Sequence, residues 1–412
     1  MAALTITNAR ILTLAGETPP RRGDALRDLG VIERGFVRID GGRIAAVGAG
    51  EPPEEGSGKT LDAAGGVLMP GFVDCHTHAC WAGDRYDELE MKRAGASYLE
   101  ILQAGGGIMA TVRAVRAADE ETLTAGLLQR LSEMATLGTT TVEVKSGYGL
   151  TTDDELKMLR AIHTAASRGP TNLTATFLGA HAIDPDNARL VAETINETLP
   201  AVVGEFPGIV CDAYCETGAW TLADTRRLFE RAVDLGCPLR VHADQFNSLG
   251  MTPLAVEMGA VSVDHLEATT PEDLRRLAES PTMGVALPAC GFHLDERYAP
   301  ARAFVDAGGA LAIATNYNPG SAPTPSMPFV IALAGHKLGL TAAEAVAAAT
   351  INAACVLGLA DERGSIEVGK HADLQLLVGA DERRLAGEFA TAGPRLVTIG
   401  GGVVHGRSIE KA

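Results

Sequence analysis

The stretch "GFVDCHTHACW" at residues 71–81 places His76 and His78 one residue apart directly after the apolar run "GGVLMP", which reads as a buried strand broken at Pro70. On a strand, alternate side chains share a face, so these two imidazoles project together while Thr77 points the other way. Two imidazoles on one face can chelate a metal ion. Two exposed histidines at a strand terminus would simply be polar, so the reading turns on whether further ligands converge. Polar residues also close other apolar runs: Lys145, His181, Glu216, His242, His265, and Asn316 with Asn318. With His76 and His78, five of the ten histidines close such runs. His163, His336, His371 and His405 fall in helical or outer segments and read as structural or solvent-facing, and His293 stays open. Neutral imidazole suits zinc, iron and similar transition metals, so His76, His78 and His242 can offer three nitrogens and leave a fourth position for water. A bound divalent ion lowers the pKa of its water to about 7 and polarises a carbonyl, which is the chemistry of metal-assisted hydrolysis. His265 can then orient or protonate reacting groups, or steady a neighbouring ligand by a hydrogen bond.

The elements that must position these residues are legible as a repeat. Strand-like runs "GGVLMPGFVD", "TTTVEVKS", "NLTATFLG", "IVCDAYCE", "PLRVHAD", "AVSVDHLE", "TMGVALPA" and "ALAIATN" alternate with helical segments such as "DDELKMLRAIHTAAS" and "LADTRRLFERAVDLG". This alternation predicts an α/β protein with a (β/α)8 barrel, in which chemistry gathers at the C-terminal ends of the strands. An open doubly wound sheet is the alternative, but no glycine-rich dinucleotide fingerprint follows the first strand. Both ends of the chain instead show short alternating stretches with glycine turns, such as "GFVRIDGGRIAAVGAG" and "RLVTIGGGVVHGR", which suggest antiparallel strands. The expected organisation is one small β-sandwich built from residues 1–65 and 361–412 around a metal-dependent barrel over 66–360.

Composition narrows the function classes. The 412 residues are 46% hydrophobic and 21% charged, enough for a large core. A formal net charge of −17 argues against binding along a phosphate backbone, so nucleic acid is not an expected partner. No window reads as a membrane span and the start lacks a secretory pattern, so a cytoplasmic enzyme with a small-molecule substrate is expected. Seven scattered cysteines fit reduced thiols, and Cys75 and Cys80, which flank the histidines, read as core packing rather than nucleophiles.

The motifs "PGFVDCHTHACWAGDR", "AGASYLEILQAGGGI", "GTTTVEVKSGYGL", "FLGAHA", "HADQ", "DHLE" and "NPGSAP" together resemble the imidazolonepropionase family of the amidohydrolase superfamily, from about Met69 to Val378. The resemblance implies hydrolytic opening of the cyclic amide 4-imidazolone-5-propionate to N-formimidoyl-L-glutamate in histidine degradation. It implies one bound metal, zinc or iron, on His76, His78, His242 and the residue after the eighth strand. It also implies substrate contacts from Arg85, Tyr98, Tyr148, His181, Gln245, Asn318, Gly320 and Ser321, with His265, Gln245 and His181 nearest the chemistry. Physically, a guanidinium is a good fork for the carboxylate of a small anionic substrate, although Arg85 could equally pair with Asp84, Asp87 or Glu88. A homodimer is the expected assembly.

One position departs from the superfamily pattern. The residue after the eighth strand is commonly Asp, and here it is Asn316. An amide oxygen can ligate a metal, but the group is neutral and cannot act as a general base near pH 7. His265 is the substitute base. The alternatives are a related amidohydrolase or ring deaminase with another substrate, and a ligand-binding homologue with little turnover.

Overall fold

The computed structural model describes residues 3–16, 19–52, 58–96, 100–101, 104–389 and 393–406. Eight parallel strands pair in chain order: Phe72–Asp74, Thr139–Lys145, Asn172–Ala180, Val210–Cys215, Arg240–Ala243, Ser262–His265, Met283–Ala286 and Leu311–Ile313. The cylinder closes just beyond the strand ends. There Thr77 bridges Tyr317 in parallel, the Asn316 N–H donates to the His76 carbonyl at 3.0 Å, and the His78 N–H donates to the Tyr317 carbonyl at 3.0 Å. The closing contacts therefore run through the residues that carry the candidate chemistry.

The strands form because they are β-branched and buried. All seven residues of Thr139–Lys145 are buried, and four of them are Thr or Val before the first charged side chain. The helices start where a threonine hydroxyl can accept from an otherwise unsatisfied backbone N–H. Thr151, Thr221 and Thr270 each accept from the residue three positions on, and Thr341 forms a reciprocal capping box with Glu344. Helix Leu222–Asp234 then lays Leu228, Phe229 and Ala232 on the barrel.

The apolar run before the first histidine breaks at Pro70, as the sequence suggests, and its two parts enter different sheets. Val67–Pro70 joins an outer sheet, antiparallel to Leu374–Leu376 and parallel to Leu4–Leu12, while Phe72–Asp74 opens the barrel. Gly71 makes the crossing, where a Cβ would lie 2.2 Å from the Thr140 side chain, so only glycine permits the approach. The outer sheet is mixed rather than purely antiparallel: Leu4–Leu12 pairs parallel with Lys59–Asp62 and antiparallel with Val31–Asp40. It draws on both ends of the chain, and its own apolar cluster includes Ile6, Val37, Leu68 and Leu374.

Candidate metal centre

His76 and His78 leave the first barrel strand on the same side, and His242 ends the fifth strand beside them. Their side-chain nitrogens lie within 4.8 Å of one another, and all three residues are at most 3% exposed. His242 Nε2 sits 3.3 Å from His78 Nε2, with the His76 ring centroid 4.4 Å from that of His242. Burial, followed by the nearby Lys145 and His181 respectively, pushes His76 and His78 well below the usual histidine value. Burial lowers His242 as well. The three rings are therefore neutral, the form that offers a lone pair.

Two of them are held from behind by carboxylates. Asp264 Oδ2 takes His76 Nδ1 at 2.6 Å, and Asp212 Oδ1 takes His242 Nδ1 at 3.0 Å. Both acids are fully buried and paired in turn: Arg240 Nη2 reaches Asp264 Oδ2 at 2.5 Å, and Lys145 Nζ reaches Asp212 Oδ2 at 2.8 Å. Glu143 joins the two cations, 2.6 Å from Lys145 Nζ and 3.4 Å from Arg240 Nη1. Burial alone would raise Asp212, but His242 and Lys145 outweigh it and hold the carboxyl well below the usual range. With their Nδ1 atoms occupied, His76 and His242 present Nε2 to the interior.

The residues fit a bound cation on this geometry. His76 Nε2 and Asn316 Oδ1 are buried and find no hydrogen-bond partner, the state expected of ligand atoms awaiting an ion. Asn316 adopts a left-handed φ of 54°, and His265 sits at φ 91°. Such conformations cost about 1–3 kcal/mol each and persist where surrounding structure enforces them. Asp74, two residues before His76, accepts from the Thr315 N–H at 3.1 Å and the Thr315 hydroxyl at 2.6 Å, tying the first strand to the eighth. Burial pushes its carboxyl up to about 7.

His78, His181, His242, His265, Asn316 and Tyr148 are among the residues lining a cavity of about 250 Å³ at the barrel mouth. His181 stacks on His78, with centroids 4.8 Å apart and planes at 14°, and its Nδ1 meets the Gly147 carbonyl at 3.0 Å. Burial, reinforced by His242, lowers His181 to about 3. Tyr148 is buried and its hydroxyl is pushed up by desolvation, so it is a neutral phenol. Gln245 lines the same cavity and donates to Cys290 Sγ at 3.2 Å. Arg85 reaches the cavity wall while pairing with Glu88, Nη2 to Oε2 at 2.6 Å. Gly320 lets it do so, since a Cβ there would fall 2.7 Å from Arg85 Nη1. Asn318 spends its amide inside its own loop: Oδ1 accepts from the N–H groups of Gly320 and Ser321 at 2.8 and 2.7 Å. Tyr98 lies outside the described residues. A larger neighbouring cavity, about 580 Å³, shares Arg85, Phe246 and Gly320 with the first but holds none of His76, His78, His242 or His265, so the chemistry belongs to the smaller one.

Asp212, Asp264, Glu143 and Asp74 were not singled out in the sequence. The available signal was an acidic residue inside an otherwise buried apolar strand, at Asp212 in "IVCDAYC", at Asp264 beside His265, and two residues before Lys145 and His76. All seven cysteines are unpaired, and Cys75 is fully buried within an apolar cluster with its thiol pushed up by desolvation.

Comparison with known proteins places this geometry in context. Residues 84–405 match the amidohydrolase family. The chain is 45% identical over 414 residues to an imidazolonepropionase of Herpetosiphon aurantiacus, covering 97% of this chain and 96% of that protein. It is 46% identical over 378 residues to an imidazolonepropionase of Rubrobacter xylanophilus, covering 89% and 90%. The fold resembles 5-methylcytosine deaminase of Klebsiella pneumoniae, with a TM-score of 0.75 at 18% identity over 99% of this chain and 98% of that one. It also resembles E. coli guanine deaminase, with a TM-score of 0.73 at 16% identity over 99% and 100%.

Proposed function

The chain belongs to the amidohydrolase family and within it to the imidazolonepropionases, and from this premise we propose that its cavity hydrolyses 4-imidazolone-5-propionate to N-formimidoyl-L-glutamate in histidine catabolism. The observation that carries the reading is the convergence of three buried, neutral imidazoles with the unpartnered Asn316 Oδ1. His76, His78, His242 and Asn316 would hold one ion, zinc or iron, since imidazole nitrogen and a neutral oxygen suit both. When bound, that ion lowers the pKa of its water to about 7 and polarises the ring carbonyl.

The remaining work falls to the chain's own side chains. Asn316 carries no charge and cannot take the proton of the attacking water. His265 takes it in this reading. Its Nδ1 lies 3.3 Å from Glu267, a contact that favours hydrogen on Nδ1 and leaves Nε2 as the acceptor. His181 donates its Nδ1–H to the Gly147 carbonyl, so its Nε2 can accept from a ring N–H of the substrate. Arg85 would bind the propionate carboxylate in competition with Glu88, and Tyr148 and Gln245 would flank the ring. Asn318 would act by shaping the Gly320–Ser321 turn. Among the described residues no helix is long and apolar enough to cross a membrane. A homodimer is the assembly we expect, checked by light scattering.

The test is loss of the ultraviolet absorbance of 4-imidazolone-5-propionate with protein of assayed metal content. Turnover that a chelator abolishes and added zinc or iron restores supports the assignment. No turnover by metal-replete protein rejects this substrate, and the Asn316→Asp variant then separates a missing base from a different ring substrate.

A further inference from the structure

A second group of ligand atoms meets at His265. The side chains of His265, Glu267 and Cys290 bring one donor atom each to within 4.8 Å of one another. The His265 and Glu267 side chains are 3% and 4% exposed, and Cys290 is 1% exposed. Glu267 Oε2 accepts no hydrogen bond although it is buried, which is costly for a carboxylate oxygen.

The spacing identifies what the group suits. His265 Nδ1 stands 3.3 Å from Oε1 and 3.3 Å from Oε2 of Glu267. Without an ion this is a hydrogen bond, but a long one against about 2.7–2.9 Å for a charge-assisted bond. The edge of a tetrahedron with metal bonds of about 2.0 Å is about 3.3 Å. The same 3.3 Å separates His242 Nε2 from His78 Nε2 in the three-histidine site. At the third corner, Cys290 Sγ accepts from Gln245 Nε2 at 3.2 Å and is also hydrogen-bonded by Ser321; burial and the neighbouring Glu267 push its thiol up, so its proton leaves only as a cation takes the sulfur. A buried imidazole, carboxylate and sulfur together select a thiophilic divalent ion over magnesium or calcium.

We propose that His265 Nδ1, the Glu267 carboxylate and Cys290 Sγ form a second cation site, distinct from the three-histidine site, that takes a thiophilic divalent ion such as Zn²⁺. Binding releases the Cys290 thiol proton to solvent and places the cation on the Nδ1 lone pair of His265. The His265 hydrogen must then sit on Nε2, so the ring can donate a proton on that side but cannot accept one. Occupation of the site therefore removes the base assigned to His265, and excess zinc inhibits. This last consequence rests on the proposed function; the cation site itself does not.

The experiment is titration of the chelator-treated full chain with Co²⁺, following bound metal and the thiolate-to-cobalt charge-transfer absorption in the near ultraviolet. The three-histidine site offers only nitrogen and oxygen and gives no such band. The expected result is a second equivalent of cobalt with the band. Cys290→Ser should lose the band and the second equivalent while retaining the first, and Glu267→Gln should weaken the second equivalent with the band still reachable at higher cobalt. A single equivalent without the band, or a band that survives Cys290→Ser, overturns the proposal. If the second equivalent binds yet excess zinc leaves wild-type turnover unchanged, the site stands and the role of His265 as base is refuted.

Discussion

Replacing Asp264 by Asn should separate the holding of a metal ligand from the holding of the fold. The carboxylate accepts from His76 Nδ1 at 2.6 Å and from Arg240 Nη2 at 2.5 Å, with every group at most 1% exposed. Its loss leaves His76 with a neutral partner. Removing such a supporting acid weakens metal binding by about tenfold to a hundredfold, which is about 1.4 to 2.7 kcal/mol. The same change strips Arg240 of its close counter-ion, leaving Glu143 at 3.4 Å. Breaking a buried pair from one side costs about 3 to 5 kcal/mol, and the surviving Glu143 contact points to the lower end. Asp212→Asn is the matched control: it removes the support of His242, but Lys145 keeps Glu143 at 2.6 Å. Both variants should therefore lose metal affinity alike, while Asp264→Asn loses more stability. Chelator competition measures the first quantity, and urea unfolding of metal-free protein measures the second. Metal affinity within about threefold of wild type in both variants, below the tenfold floor for such supports, would refute the claim that these carboxylates position the ligands.

Other outcomes follow from the same geometry. Asn316→Asp adds a negative ligand at the unpartnered oxygen, so zinc dissociation measured against a chelator should slow on the order of tenfold, or about 1.4 kcal/mol. Gly320→Ala drives a methyl to 2.7 Å from Arg85 Nη1 and should raise KM with little change in kcat; Arg85→Leu should raise it by about tenfold to a hundredfold, the worth of a charged hydrogen bond. His265→Gln should lower kcat by about 10²- to 10⁴-fold at unchanged metal content at the three-histidine site. For His181 the folded value of about 3 lies below the unfolded one near 6.5. The unfolded chain therefore binds the extra proton first, and the metal-free protein should lose stability as pH falls from about 6.5 towards 3, by up to about 1.4 kcal/mol per pH unit from this residue. Urea midpoints at pH 7 and pH 5 check this, and His181→Asn should flatten the slope.

Much of the architecture was legible because it is local. Strand and helix alternate along the chain with clear periodicity, and the barrel follows from that alternation. The break at Pro70 was legible, but not that the two parts serve different sheets, since no local pattern marks the change of partner at Gly71. The crossing is set by Thr140, which belongs to the next barrel strand. The parallel pairings of Leu4–Leu12 were missed for the same reason, because hairpin-like spacing says nothing about which strand lies on the other edge.

By itself the sequence determined that His76 and His78 share a face, that His181, His242 and His265 close barrel strands, and that Asn316 brings no charge to the mouth. Those properties follow from the side-chain identities and the two-residue period of a strand. Only the tertiary structure decided which nitrogen of each ring is left for an ion, because the deciding partners are remote: Asp264 lies 188 residues from His76, and Asp212 lies 30 from His242. It also decided that Arg85 reaches the cavity while paired to Glu88, and that Glu267 and Cys290 gather at His265. Hydrogen bonds and ligand groups of this kind depend on the register between strands and on the loops above them, which only the packed barrel sets.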